Sequence, residues 1–284
     1  STFESGTRAE ESTQRAAEVT RNGDINPFVG LYEDVLLPSE QWDDYGLVGI
    51  SIVGISQILP GLTLARMLKE KYPHLHVTLG GPIFSVNSKQ LLDQPEFFDE
   101  FCDSVVTFEG EEPLHRLLTT LKQGSTLKEV PNLLFCENRK VELNEERVEL
   151  RFEELPPPTF DGLPMDLYLS PYPILPVLQS RGCYWGKCTF CTHSFVYGHR
   201  YGKQRTQQMV GELEALAEKY NTKYFTFSDE AVSPHSLNDV SEEIIKRGLD
   251  IKSLALLKFE KMMDEKLFLK MRQAGFIFLM FGLE

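Results

Sequence analysis

The chain has 284 residues, of which 42% are hydrophobic, and its net charge at pH 7 is −13. This length suffices for two domains with cores of their own. The negative charge argues against binding a nucleic-acid backbone, which selects basic surfaces, and no apolar run reaches the roughly 18 residues of a membrane span. Without a recognisable signal peptide, the five cysteines are expected to be reduced and the protein to be cytoplasmic.

The first half of the chain alternates between strand-like and helix-like segments. Residues 1–26 are polar and predict a solvated helix or a disordered lead-in. The segments that follow are strand 46–53, helix 59–72, strand 75–79, strand 104–108, helix 110–121, and a hairpin of 132–136 and 140–143. Such alternation is typical of a doubly wound, Rossmann-like parallel sheet, whose ligands bind at the carboxyl ends of the strands.

Small residues stand where the predicted strands end. Ser51-Ile52-Val53 ends one strand and Gly80-Gly81 ends the next, with the 26 residues 54–79 between them. Gly110 lies in the turn after the third strand. Because glycine has no side chain, the backbone at such positions can approach a ligand closely. The alternative is an ordinary flavodoxin-like sheet that uses its glycines only for tight turns.

A proline-rich segment, 145–173, follows this half. It begins with acidic residues and contains Pro156-Pro157-Pro158, which stiffens the chain and removes backbone donors. It is expected to run extended over the surface as a linker. The predicted organisation is therefore a first domain over 1–144, a linker over 145–173 and a second domain over 174–284.

Three of the five cysteines lie close together after a short apolar strand, 174–178. Cys183, Cys188 and Cys191 have the spacing C-x4-C-x2-C. Thiolates this close suit one soft metal centre, and three ligands on a four-iron cluster leave one iron open to a small molecule. The alternative is a zinc site in which His193 is the fourth ligand.

Two other cysteines, Cys102 and Cys136, stand alone in apolar surroundings and are predicted to be core residues.

Repeated strand–helix units follow the cysteines. The predicted elements are helix 206–220, strand 224–227, helix 236–247, strand 251–257, helix 264–273 and strand 276–281. This pattern predicts a (β/α) barrel, cut off inside a repeat as in a fragment of a longer protein. Polar residues end each strand, where barrels hold their active sites. They are Arg181, Ser228, Asp229, Glu230, Lys258 and Glu284.

The cysteine motif, with Phe190 just before the last cysteine, resembles the signature of the radical S-adenosylmethionine (SAM) enzymes. The usual spacing there is C-x3-C-x2-C, so this chain has one extra residue between Cys183 and Cys188, where a bulge is expected. The first half resembles the cobalamin-binding domain that many of these enzymes carry, with its Ser-x-Leu and Gly-Gly motifs, although Val53 replaces the leucine. The turn 108–112 and the proline-rich segment are also similar to that family.

The resemblance implies three cofactors and the residues that hold them. Cys183, Cys188 and Cys191 would ligate a [4Fe-4S] cluster. SAM would contact Phe190, Ser228, Asp229, Glu230, Lys258, Gly282 and Glu284. Cobalamin would lie against Ser51, Val53, Gly80, Gly81 and Gly110. None of the six histidines lies in an Asp-x-His-x-x-Gly context, so no cobalt ligand is assigned. Residues 197–201 form a loop that can cover the cluster in related enzymes.

The activity that the resemblance implies is that of a cobalamin-dependent radical SAM C-methyltransferase. Such an enzyme cleaves SAM reductively to a 5'-deoxyadenosyl radical, which takes a hydrogen from an unactivated carbon before that carbon is methylated from methylcobalamin. A small-molecule or peptide substrate and an electron donor such as flavodoxin or ferredoxin are expected. Two alternatives remain: a cobalamin-containing radical SAM cyclase or ring-rearranging enzyme, and a non-catalytic cobalamin or zinc-binding sensor or scaffold module.

Overall fold

The computed structural model describes residues 8–9, 11–144, 152–196 and 200–282. The chain divides into two compact units, Ser1–Glu149 and Leu150–Glu284. The interpretations of the first seven residues, of the start of the linker, of residues 197–199 and of Glu284 lie outside the described part. Within that part, no helix combines the length and the hydropathy that crossing a bilayer requires.

The first unit is built on a five-stranded mixed sheet. Its strands are β1 (Leu47–Ser51), β2 (His76–Gly80), β3 (Ser104–Val106), β4 (Leu133–Glu137) and β5 (Lys140–Leu143). Its α-helices are α1 (Thr13–Arg21), α2 (Phe28–Leu31), α3 (Leu37–Ser39), α4 (Ile58–Lys71), α5 (Pro82–Val86), α6 (Ser88–Leu91), α7 (Pro95–Phe101) and α8 (Glu111–Gln123). β1, β2 and β3 are parallel, and β4 and β5 continue the sheet as an antiparallel hairpin.

The strand order corrects one feature of the predicted fold. The described strands lie side by side in chain order, β1-β2-β3-β4-β5, whereas a doubly wound sheet reverses direction at a switch point. The two crossovers from β1 to β3 each step to the next position in one direction, so no reversal occurs. Hydrophobic clusters nevertheless form on both faces of the sheet.

Alternation along the strands decides which side chains enter each cluster. Val77 and Leu79 of β2 join the cluster beneath α4 and α7, which also buries Cys102 completely, as predicted. On the other face, Leu117 of α8 packs against β4. The polar lead-in is a helix, α1, and it is not solvated all round, because Ala16 is 2% exposed and α1 contacts α4.

The second unit contains a parallel sheet of four strands in the order β11-β10-β9-β6. The strands of the whole unit are β6 (Ile174–Val177), β7 (Ser180–Arg181), β8 (Gly202–Lys203), β9 (Tyr224–Phe227), β10 (Lys252–Lys258) and β11 (Phe276–Gly282). Its α-helices are α9 (His193–Val196), α10 (Thr206–Lys219), α11 (Pro234–Arg247) and α12 (Glu265–Gln273). The predicted strand–helix repeats are confirmed, and an unpredicted antiparallel pair, β7 and β8, is added to them.

The described part of the proline-rich segment, residues 152–173, belongs to the second unit and packs on its core. Phe160 and Met165 pack on that unit's core cluster, and the backbone N–H of Phe160 donates to the Tyr220 hydroxyl at 2.7 Å. Short 3₁₀ turns at Phe152–Glu154 and Met165–Leu167 are its regular structure. The prolines predict a segment that runs extended over the surface. In the structure, part of the segment is also anchored by packing on the core.

Two glycines end the helices of the second unit in different ways. Gly248 follows α11 with φ +66°, and a Cβ there would meet nothing within 4 Å. Gly275 follows α12 with φ +94°, and a Cβ there would lie 2.0 Å from the carbonyl oxygen of Ile251. The second glycine is thus required by a close backbone approach as well as by its φ angle.

The pair supplies a matched test of the fold. Gly248→Ala is expected to lower the free energy of unfolding by about 1 kcal/mol, the usual cost of a left-handed alanine. Gly275→Ala is expected to lower it by about 3 kcal/mol, since backbone overlap adds to the φ strain. Urea denaturation of the purified variants measures both values. Equal losses at the two sites would contradict the close approach of Gly275 to the backbone of Ile251.

Candidate functional site

The three clustered cysteines lie on a loop, residues 182–201, called here the cysteine loop. Its two ends meet in the antiparallel pair β7–β8, in which Ser180 is opposite Lys203 and Arg181 is opposite Gly202. The backbone N–H of Gln204 adds a hydrogen bond of 2.9 Å to the carbonyl oxygen of Gln179. The loop is therefore closed at its base where the chain leaves the carboxyl end of β6.

Asp229, just beyond the carboxyl end of β9, holds this base. Its carboxylate accepts the backbone N–H groups of Gln179 at 3.0 Å and of Ser180 at 2.6 Å, and also the Ser180 hydroxyl. The side chain is buried. Burial raises the pKa of Asp229, while the three donors act in the opposite direction. The sequence pointed to a SAM contact for Asp229, which stays a prediction, and the structure shows its carboxylate bound to the loop base.

The thiols match an iron–sulfur cluster in type and number. Cys183, Cys188 and Cys191 are unpaired and partly buried, and a turn joins the last two through a 3.3 Å backbone hydrogen bond. Across the described ranges, however, no group of three or more His, Cys, Asp or Glu side chains could hold a metal ion as it stands. The donor chemistry fits the predicted ligands, and their convergence on one metal centre remains a prediction.

Acidic side chains beyond two strand ends contact residues next to the cysteines. The Tyr184 hydroxyl donates to Glu260 Oε1 at 2.7 Å, two residues beyond β10. Burial, and then the bond to Glu260, raise the pKa of Tyr184. His193 Nδ1 lies 2.9 Å from Glu230 Oε1, beyond β9. Burial raises the pKa of Glu230, and His193 opposes the shift. One nitrogen of the histidine proposed for the zinc alternative is thus directed at a carboxylate.

The other predicted SAM residues are distributed over the same strand ends. The ammonium of Lys258 lies 4.0 Å from the ring centroid of Trp185, inside the cysteine loop. Gly282 pairs with Lys258 in the sheet. The backbone N–H of Ser228 donates to the carbonyl oxygen of Val177 at 2.8 Å. Phe190 is exposed. The structure therefore brings Glu230 and Lys258 to the loop, whereas Phe190 extends into solvent.

Sequence reasoning missed a buried polar group beneath the loop. The Gln204 side-chain amide donates to the carbonyl oxygen of Leu178 and to Glu212 Oε2, each at 3.3 Å. One side-chain oxygen each of Gln179, Gln204 and Glu212 is buried without a partner among the described residues. Burial raises the pKa of Glu212. Glu212 sits among apolar positions of α10, and a charge at a core position of that pattern was the available signal.

In the first unit, a cleft of about 370 Å³ brings together four predicted cobalamin residues. Ser51, Gly80, Gly81 and Gly110 line it. The rest of the lining is mostly apolar with one acidic residue: Gly49, Ile50, Thr78, Leu79, Val106, Phe108, Glu111 and Leu114. Val53, the fifth predicted residue, is 60% exposed and is not part of the lining. A larger groove, of about 1200 Å³, lies at the amino ends of the same strands, and none of the predicted residues lines it.

Two glycines of the cleft, Gly80 and Gly110, leave space that a bulky ligand could occupy. A Cβ on Gly80 or on Gly110 would have its nearest neighbour at 3.7 Å, an ordinary contact. The chain's own packing therefore does not require glycine there, and the missing side chains enlarge the cleft. Gly81 differs, because a Cβ would lie 2.3 Å from the carbonyl oxygen of Ile52. The floor adds Thr78, whose hydroxyl hydrogen bonds with Ser104.

No family model matches the chain, but two curated relatives do. The chain is 29% identical over 281 residues to an uncharacterised methyltransferase of Pyrococcus horikoshii, a match covering 95% of this chain and 59% of the relative. It is 28% identical over 221 residues to the hopanoid C-3 methylase of Methylococcus capsulatus, covering 73% and 39%. The chain thus spans less than two thirds of either relative.

Solved structures show the class of fold. The radical SAM methyltransferase TsrM of Kitasatospora setae, solved with tryptophan and a SAM analogue, matches 90% of this chain and 52% of its own with a TM-score of 0.67 and 18% identity. OxsB, a cobalamin-dependent radical SAM enzyme solved with aqua-cobalamin and SAM, matches 90% and 38% with a TM-score of 0.66 and 20% identity. TsrM has also been solved with cobalamin and a [4Fe-4S] cluster, and that structure gives a TM-score of 0.64.

The chain therefore has the fold of cobalamin-dependent radical SAM enzymes. The resemblance inferred from its cysteine, serine and glycine motifs is confirmed at the level of the fold.

The buried carboxyl group of Glu212 gives the protein a testable pH dependence. Because burial raises its pKa, folding favours the protonated form, and this contribution to stability is lost as the pH rises through the raised pKa. Glu212→Gln carries no charge at any pH. Its free energy of unfolding relative to the parent is expected to be lowest near pH 4, below the ordinary glutamate pKa of about 4.3, and to increase toward neutral pH.

Chemical denaturation at a series of pH values measures this difference. Glu218→Gln, at an exposed position of the same helix, is the matched control and is expected to show a flatter curve. A Glu212→Gln difference that stays constant with pH would show that folding leaves the pKa of this carboxyl group unchanged.

Proposed function

We propose that the chain is part of a cobalamin-dependent radical SAM enzyme that transfers a methyl group to an unactivated carbon. The observation that carries the proposal is the loop of three unpaired thiols, closed at its base and bound to the carboxyl ends of neighbouring parallel strands. One curated relative is described as a methyltransferase and the other as a methylase. These descriptions favour methyl transfer over the cyclase or ring-rearranging alternative. They likewise favour an enzyme over a non-catalytic module.

In this proposal the second unit holds the cluster and SAM. It is the first part of a (β/α) barrel, with the domain over 174–284. Cys183, Cys188 and Cys191 bind the cluster, which supplies the electron for SAM cleavage when it is bound. The chain's own part is to orient SAM, with the Lys258 ammonium facing its carboxylate and Glu230 facing its ammonium group. Asp229 belongs to the proposed SAM contacts, and its carboxylate also fixes the loop base.

The remaining SAM contacts belong to the proposal in the same way. Ser228 and Gly282 offer backbone atoms at their strand ends, Phe190 offers an exposed ring, and Glu284 is assigned to the SAM ribose on resemblance alone.

The first unit, over 1–144, holds cobalamin in this proposal, with 145–173 as the linker. The cleft of Ser51, Gly80 and Gly110 offers a hydroxyl and bare backbone, a combination suited to a flat, largely apolar base. Gly81 keeps the backbone close to β1, and Val53 contributes from outside the lining. The substrate is a small molecule or a peptide, and a flavodoxin or ferredoxin supplies electrons.

The cluster assignment has a direct test in the full-length protein. Anaerobic loading with iron and sulfide is expected to give a brown, reducible protein that forms 5'-deoxyadenosine from SAM and dithionite. Cys188→Ala is expected to lower that product at least 100-fold, because a cluster held by two thiolates loses its geometry. Cys136→Ala, a cysteine of the first unit, is the control. A colourless protein with one bound zinc, or equal product from both variants, would refute the enzymatic proposal.

The cobalamin assignment predicts a separate effect of filling the cleft. Gly80→Leu is expected to keep the fold, because its Cβ is tolerated, and to weaken cobalamin binding at least tenfold by occupying the ligand's space. Gly46→Leu, at an exposed glycine before β1 outside this cleft, is the matched control. Absorbance titration with hydroxocobalamin measures both affinities. Unchanged binding by Gly80→Leu would place cobalamin elsewhere.

A further inference from the structure

The segment between the first two cysteines, Tyr184–Lys187, carries the residue that is extra relative to the usual radical SAM spacing. A bulge was expected there, and the segment is attached to Lys258, the last residue of β10, and to Glu260 just beyond it. Tyr184 donates its hydroxyl to Glu260, and Trp185 lies beneath the ammonium of Lys258. Gly186 turns the backbone with φ +59°. The longer spacing therefore gives a docked segment with two side-chain attachments.

The Lys258 ammonium, next to the predicted SAM site, lies over an aromatic ring. The ammonium is 4.0 Å from the Trp185 ring centroid, and within the described ranges it forms no ion pair. Lys187 contributes a second ammonium 5.2 Å from the same ring. Trp185 itself is 41% exposed, so the indole is accessible and is flanked by two positive charges. Among the described residues, the Trp185 ring is the partner that the Lys258 ammonium contacts.

We propose that Trp185 holds Lys258 while the SAM site is empty, and that the carboxylate of SAM takes Lys258 away from the indole on binding. This inference rests on the proposed function. A cation above a partly exposed ring is weakly held, whereas an ammonium–carboxylate hydrogen bond in a sheltered site is stronger. The carboxylate therefore wins the competition, and occupancy of the SAM site is transmitted to the segment between Cys183 and Cys188.

The direction in which SAM affinity changes on mutation distinguishes this exchange from a role of Trp185 and Lys258 in loop structure alone. A contact that exists only in the empty state opposes ligand binding, because the ligand must break it. Removing the Trp185 ring is therefore expected to tighten SAM binding, while removing the Lys258 charge weakens it. If Trp185 and Lys258 served only to shape the loop, both changes would weaken binding.

The experiment uses the full-length protein with its cluster loaded and oxidised, so that SAM binds without being cleaved. SAM affinity is measured anaerobically by equilibrium dialysis, after iron content has been matched between variants. Lys258→Met is expected to bind SAM at least tenfold more weakly, and Lys258→Arg is expected to restore most of the affinity. Trp185→Leu is expected to bind about two- to fivefold more tightly, with Trp185→Phe between it and the parent.

A spectroscopic signal reports the movement itself. In protein labelled with 5-fluorotryptophan, the resonance absent from Trp185→Phe belongs to Trp185, one of two tryptophans in these 284 residues. It is expected to shift on addition of SAM, and to stay in place in Lys258→Met. Methylthioadenosine, which lacks the carboxylate, is the control ligand and is expected to leave the resonance unmoved.

The outcomes distinguish this inference from the function on which it rests. If SAM binds and is cleaved but Trp185→Leu weakens binding, or the Trp185 resonance does not move, the exchange is wrong and the proposed function stands. If the cluster-loaded parent binds no SAM, both fail. A response to methylthioadenosine equal to that with SAM would also overturn the exchange, because the carboxylate would then play no part.

Discussion

The arrangement of the second unit depends on one buried carboxylate. Asp229 receives two consecutive backbone N–H groups at the point where the chain leaves β6, together with a serine hydroxyl. Buried amide groups without a partner are costly, so this side chain allows the chain to turn away from the sheet. The β7–β8 pair begins at the same place. The base from which the three thiols extend therefore depends on a residue just beyond the neighbouring strand, β9.

The two units present different chemistry to their predicted ligands. At the cysteine loop, both signs of charge meet aromatic rings: Glu230 and Glu260 are acidic, and Lys258 lies over an indole. SAM carries an ammonium, a carboxylate and a sulfonium group, so it needs both signs. The cleft of the first unit offers Ser51 and bare glycine backbone, which suits a flat base. In the proposed function, each of these unlike sites takes one of two unlike cofactors.

Local sequence patterns predicted the helices and strands. They could not predict the strand order or the contacts between residues far apart in the chain. The apolar run 224–227 is β9 as expected, because a buried parallel strand is continuously hydrophobic. The order of strands has no local signature in the sequence. The doubly wound order was predicted, but the described strands of the first unit lie in chain order. The role of Asp229 joins positions 49 and 50 residues apart. Val53 misses the cleft because β1 ends at Ser51, and strand alternation no longer directs the residues beyond it.

The unusual cysteine spacing and the residues after β10 form a matched set. With four residues between Cys183 and Cys188, the turn at Gly186 lets both Tyr184 and Trp185 reach the same strand end. A three-residue spacing would shorten the path by one residue, roughly 3.5 Å of chain, and one of the two attachments would be lost. Either Glu260 or Lys258 would then lack its partner. The departure from the usual motif is thus compensated on another strand, which explains how a longer loop is held in place.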